Sequence, residues 1–245
     1  MKQILVQYKY YETLKQQLEP VAREFATGKY QSLLFHIYSG ILEEHLLPDI
    51  AVNLAKLFPG AALAGTISAG EIGYARLMER GVLISAMLFE STGIRKTTYT
   101  DVKGREEQVG RAICMDIEGL SQVKAVELLL PGTEFNTRVI LEAMSDLNPE
   151  IAVFGGYAGG HSMDIGEHYV FDENGLTDDS IYVISYAGKD FHIDVNKSVG
   201  WKTLGHHFDV TKADENRLIE IDHAPAVEVY EKYLGIKRND NFAED

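Results

Sequence analysis

The feature that most constrains the fold is a change of hydrophobic period near residue 166 of the 245-residue chain. Before it, stretches with apolar residues every three or four positions alternate with short continuous apolar runs. After it come short runs in which apolar and polar residues alternate. The first texture is that of helices packed on buried strands, and the second that of antiparallel strands.

Residues 11–27 place Leu14, Leu18, Val21, Ala22 and Phe25 on one helical face, and Pro20 within that run predicts a kink or break. Residues 32–38 (SLLFHIY) read as a buried strand. Residues 42–57 read as a helix whose regular part begins late because of Pro48, and Pro59-Gly60 ends it. Strands are expected at 61–66, 81–89, 124–130 and 151–154, and helices at 106–117 and 134–146. Beyond 166 the alternating runs are 167–171, 181–187, 190–195, 206–211 and 217–221. Asn174-Gly175 and Gly188-Lys189 sit between runs as hairpin turns. A last helix over 225–234 starts at Pro225 and stops at Gly235. The class is α+β: mixed β-sheet layers packed with helices, with an N-terminal βαβ-like part followed by an antiparallel strand meander. One domain is expected over 1–235, and the polar tail 236–245 reads as a frayed end or the start of a linker.

Charge and cysteine content narrow the function. The formal net charge is −14, and the densest basic cluster is Lys237-Arg238. That argues against nucleic acid and against anionic membrane surfaces. The single cysteine, Cys114, excludes an internal disulfide framework and any multi-cysteine metal site. A reducing compartment fits that usage. The opening MKQILVQYKYYE lacks the apolar stretch of a signal peptide, and no run approaches the ~18 apolar residues of a membrane span. The expected location is cytoplasmic.

Two glycine-rich segments follow predicted strands. In Gly65-Thr66-Ile67-Ser68-Ala69-Gly70-Glu71-Ile72, peptide N–H groups and Ser68 can bind a carboxylate or phosphate, and Glu71 can accept from an ammonium. A tight turn serving geometry alone explains the same residues. The second segment, Gly155-Gly156-Tyr157-Ala158-Gly159-Gly160-His161, lies where ligands often bind, but it lacks the dinucleotide spacing and no helix follows it. It reads as a ligand loop or a mobile connector. His161, Asp164 and His168 would share a face only on a helix, which Gly166 argues against, so no metal site is expected. His206 and His207 are adjacent and face opposite sides of a strand. His36 reads as a satisfied core residue, and Cys114 as a small buried hydrophobe. No nucleophile elbow or Walker A loop is present. Binding loops without a reactive constellation favour a sensor over an enzyme.

These residues, in order, resemble the FIST domain family (F-box and intracellular signal transduction), in its N-terminal part. Gly65 to Ile72 is similar to the family's small-residue turn ending in Ala-Gly-Glu, and Gly155-Gly156-Tyr157-Ala158-Gly159 to its Gly-Gly-x-Ala motif. Val170-Phe171 with Asn174-Gly175, Gly200-Trp201-Lys202, Leu204-Gly205, Val210-Thr211-Lys212-Ala213, and Asn216 to Asp222 with Pro225-Ala226 and Tyr230 resemble later stretches. Thr66 stands where the family often has Cys, Gly160 where an Asp is common, and His223 where a small residue is usual. The resemblance implies a bacterial or archaeal cytosolic sensory domain that binds small molecules such as amino acids. It also implies signalling partners or output modules such as a histidine kinase, a chemoreceptor module or a cyclic-di-GMP enzyme. The ligand-binding residues expected are Ser68, Ala69, Gly70, Glu71, Gly155, Gly156, Tyr157, Gly159 and His161, with no cofactor. One branch resembles haem-binding nitric oxide sensors, for which His161, His192, His206 and His207 are the candidate iron ligands.

Overall fold

The computed structural model describes residues 1–132, 136–160, 168–196, 205–214 and 217–235. It forms two compact units, Met1–Val195 and Asn196–Asp245.

The first unit begins β1 (Lys2–Tyr8), α1 (Tyr11–Ala26), β2 (Ser32–Ser39), α2 (Leu46–Leu57), β3 (Ala62–Ile67), β4 (Glu71–Gly73) and β5 (Arg76–Met78). It continues with β6 (Val82–Phe89), β7 (Gly93–Thr100), α3 (Glu106–Glu118), β8 (Val123–Leu130), α4 (Thr137–Ala143) and β9 (Ala152–Tyr157). Strands β10 (Val170–Asp172), β11 (Gly175–Thr177) and β12 (Ser180–Ala187) complete it. Six strands form one sheet in the order β1-β6-β2-β3-β10-β11, and four form another in the order β7-β12-β8-β9. Only β2–β3 and β8–β9 pair parallel; every other neighbour in the two sheets is antiparallel.

Strand alternation assigns each face its packing. In β2, Leu33, Phe35 and Ile37 join Leu14, Leu18, Val21, Leu47, Ile50 and Leu54 of α1 and α2. Leu34, one residue out of phase, packs instead with Ala125, Leu129, Tyr182 and Ile184 of the four-stranded sheet. The outer face of that sheet, through Val126, Leu128 and Val183, buries Val109, Ile113 and Ile117 of α3 and Ile140 of α4. The order of layers is therefore helix, sheet, sheet, helix, with both faces of the central strands buried.

The second unit holds β13 (Val210–Asp214), β14 (Arg217–Ile221), β15 (Ala224–Pro225) and α5 (Ala226–Leu234). Its strands pair in the order β13-β14-β15, and β14 turns into β15 at Asp222-His223, both left-handed. Gly235, at φ 71°, ends α5 as expected.

The α+β class stands, and the later strands do pair antiparallel, but they are shared among three sheets. Four local expectations change. Helix α1 runs through Pro20, which lies on its exposed side where one missing N–H bond is tolerated. Residues 190–195 form no strand and Gly188-Lys189 no hairpin, because β12 already has a partner on each side in β7 and β8. Of 206–211, only Val210 and Thr211 are in a strand. Gly155, Gly156 and Tyr157 lie inside β9, paired with β8, rather than in a loop after it.

Two glycines are fixed by close approach. A Cβ on Gly65 would lie 2.3 Å from the ring of Phe171, its fully buried cross-strand neighbour. Gly155 has φ +148°, and a Cβ there would lie 2.0 Å from the Leu128 carbonyl oxygen. Adjacent Gly156 has nothing within 4 Å. Replacing Gly155 with Ala is expected to cost about 3 kcal/mol of stability in urea denaturation. Gly156→Ala is expected to stay within about 0.5 kcal/mol. Equal effects at the two positions would contradict this backbone geometry.

Candidate functional site

The inter-sheet face of the six-stranded sheet is not wholly covered. Toward β1 it carries Gln3 and Leu5, then Leu83, Ser85 and Met87 of β6, then His36 and Tyr38 of β2. The registers Leu5↔Ser85, Gln3↔Met87, His36↔Ser85 and Tyr38↔Leu83 place them side by side on one face. They floor a cleft of about 810 Å³. Its opposite wall is Glu127 of β8, Phe154 of β9, Tyr186 of β12 and the irregular stretch from Phe191 to Asp194. Gly70, Glu71 and Ile72 close one end.

At the base of the cleft an ionisable cluster joins the sheets. His36 Nε2 is 3.2 Å from Glu127 Oε2, an ion contact without good hydrogen-bond alignment. The Tyr186 hydroxyl donates to the same oxygen at 2.5 Å. Burial pushes the Glu127 carboxyl up, but the adjacent His36 imidazole and the Tyr186 hydroxyl outweigh it and hold the group below its ordinary value. Burial, then the Glu127 charge, push the Tyr186 phenol up. The same two causes take Tyr38 to about 12. The cleft thus presents an ionised carboxylate beside neutral phenols.

Aromatic rings gather on the upper wall. Tyr186 and Phe191 stack with centroids 5.5 Å apart and planes 11° apart. Phe89 meets both edge-on, and Phe154 lies 6.0 Å from Tyr186.

The residues expected from sequence are only partly brought together. Gly70 and Glu71 line the cleft. Ser68 donates its hydroxyl to Glu71 at 2.7 Å and its N–H to the Ser39 carbonyl at 2.8 Å. Gly159 reaches the same turn, donating its N–H to the Ile67 carbonyl at 2.9 Å, and a Cβ on it would lie 3.7 Å from the Ala69 nitrogen. The two glycine segments therefore meet through Ile67, Ala69 and Gly159. Gly155, Gly156 and Tyr157 instead border a separate hollow of about 330 Å³ between β9 and α4. His161 and Asp164 lie outside the described residues. Among the candidate iron ligands, His192 is exposed and lines the cleft. His206 and His207 belong to the second unit, where His206 stacks on Tyr233 and meets Phe208 edge-on. Among the described residues no group of three or more His, Cys, Asp or Glu is placed to hold a metal, and no helix is long and apolar enough to cross a membrane.

A model of the FIST N domain matches residues 34–224, most of the chain and, from Leu34 of β2 onward, the strands that frame the cleft except β1. The chain belongs to the FIST N domain family. No curated protein matches it. A FIST domain is a sensory domain of signal transduction.

His36, Tyr38, Glu127 and Tyr186 were not among the expected site residues of this FIST N domain. A signal existed: SLLFHIY carries His36, and AVELLL carries Glu127, inside otherwise largely apolar buried runs. Such a residue needs a partner, and each is the other's. Because Glu127 titrates lower when folded, its contribution is fully present above pH 4.5 and is lost as the pH falls through the depressed value. Glu127→Gln is expected to cost roughly 3 kcal/mol at neutral pH. The gap to wild type narrows as the solution is acidified below pH 4.5. Chemical denaturation across that range checks both; a gap that does not change with pH would deny the role of the ionised carboxylate.

Proposed function

We propose that this FIST N domain senses a small metabolite, of amino-acid size or similar, in the cleft between its sheets, and passes the signal to an output partner such as a histidine kinase or a cyclic-di-GMP enzyme. The observation that carries this reading is the cleft itself: about 810 Å³, with apolar and aromatic walls and a few convergent polar groups. Binding sites for small molecules have that size and that mixture. The reading is of binding rather than catalysis, in a cytoplasmic setting.

A ligand there touches β1, β6 and β2 on one side and β8, β9 and β12 on the other. Two arrangements of the sheets that hold it differently would be shifted in population by its binding. The irregular stretch Phe191–Asp194 lines the cleft, and the chain runs on from it into the second unit. That continuity gives the cleft a covalent route by which occupancy reaches the rest of the chain.

Haem is the second reading, and the residues fit it poorly. His192 stands on an irregular segment, and His36 faces Glu127. Two propionates would meet Glu71, Glu127 and Asp194, with no lysine or arginine among the described residues of the cleft lining. A Soret band developing on stoichiometric haem addition, and lost in His192→Ala, would reverse this preference.

The direct test is thermal unfolding against a panel of amino acids, amines and carboxylic acids. A ligand at a hundredfold excess over its Kd stabilises by about 2.7 kcal/mol. Met87→Trp, which wedges an indole into the cleft from a half-buried strand position, is expected to remove the shift while keeping the fold. A shift that persists undiminished in that variant would place binding elsewhere.

A further inference from the structure

We infer that the cleft selects an organic ammonium ion, an amine with an apolar or aromatic body and no carboxylate. This rests on the reading of the cleft as the ligand site. Three carboxylates line it: Glu71 and Glu127, both buried, and Asp194, exposed at the rim. No lysine or arginine does so among the described residues. The amino group of Met1, at the edge, is 3.7 Å from Glu90. His36 is directed at Glu127.

An anionic ligand entering this space meets repulsion in a partly dehydrated setting, where it is weakly screened. A cation gains from the same charges. The aromatic wall points the same way, because the faces of Tyr186 and the phenylalanines around it attract ammonium groups and pack on apolar bodies. Glu127, which accepts the Tyr186 hydroxyl, adds a buried carboxylate to that same wall.

Three peptide N–H groups near the cleft that could have met a carboxylate are already bonded. At the meeting of the glycine segments, the N–H of Ser68 goes to Ser39, that of Ala158 to Leu130 and that of Gly159 to Ile67. All three are engaged within the protein, and that of Gly159 ties the two segments together. A zwitterionic amino acid therefore gains at its ammonium and loses at its carboxylate. The chain's net charge of −14 adds long-range attraction for cations.

The test compares three compounds that share one aromatic body: phenethylamine, phenylalanine and 3-phenylpropionate. Each is titrated by calorimetry into the full chain and into Asp194→Asn and Met87→Trp. Phenethylamine is expected to bind about tenfold or more tightly than phenylalanine, with 3-phenylpropionate weakest. Asp194→Asn, at an exposed position, narrows that preference several-fold without loss of thermal stability. Met87→Trp abolishes binding. Equal or tighter binding of phenylalanine or 3-phenylpropionate overturns the inference, as does absence of phenethylamine binding at millimolar concentration. In either case the cleft reading is judged separately. It survives if whatever metabolite binds the wild type is lost in Met87→Trp, and it falls if that binding is unchanged.

Discussion

Everything in the first unit depends on two sheets sharing one interior while each also carries helices on its outer face. Central strands buried on both sides have no solvent to turn polar groups toward, so any ionisable residue there must find its partner across the gap. Among the described residues, charged side chains meet across it at two places. His36 meets Glu127 at 3.2 Å, and Lys96 of β7 meets Asp172 of β10 at 2.5 Å while lying over the Tyr182 ring. Buried pairs of this kind add little stability over apolar side chains of equal volume, but losing one partner leaves the other stranded. They act here as pins that penalise sliding of one sheet over the other.

The sheets are unequal, six strands against four. Where both are present, Leu34, Ala64 and Val170 pack against Leu129, Tyr182 and Ile184. Toward β1 the larger sheet outruns the smaller, and the cleft opens between them beneath Glu127, Phe154 and Tyr186. The cleft is thus a by-product of strand number, and the His36–Glu127 contact stands where packed core gives way to open space. That position lets one cluster both close the core and line the cleft.

Much of this architecture was legible in the sequence. Buried strands at 32–38 and 81–89, the helices packed against them and the Asn174-Gly175 hairpin all follow from periodicity and turn chemistry. What was missed has physical causes. β7 reads GIRKTTYT, too polar for a buried strand, because it is an edge strand. The β4–β5 hairpin turns at Tyr74-Ala75, both left-handed without a glycine or asparagine to announce them. Gly155-Gly156 looked like a loop, yet β8 supplies their pairing and only the missing Cβ lets Gly155 approach Leu128. The site was half legible. Gly70 and Glu71 were found as a motif, whereas His36 was dismissed as core for the right reason, burial. What no local pattern shows is that Glu127, 91 positions away, stands opposite it.

The two-residue period of β2 carries a consequence for how such a domain diversifies. Leu33, Phe35 and Ile37 answer to the helices, and Leu34, His36 and Tyr38 to the second sheet and the cleft. Two selective pressures are interleaved along one strand, and neighbouring codons report to different masters. Recognition can drift at the even positions while the odd ones hold the scaffold constant. Related domains tuned to different signals would then differ at every second residue of the same strands, a signature that overall sequence identity averages away.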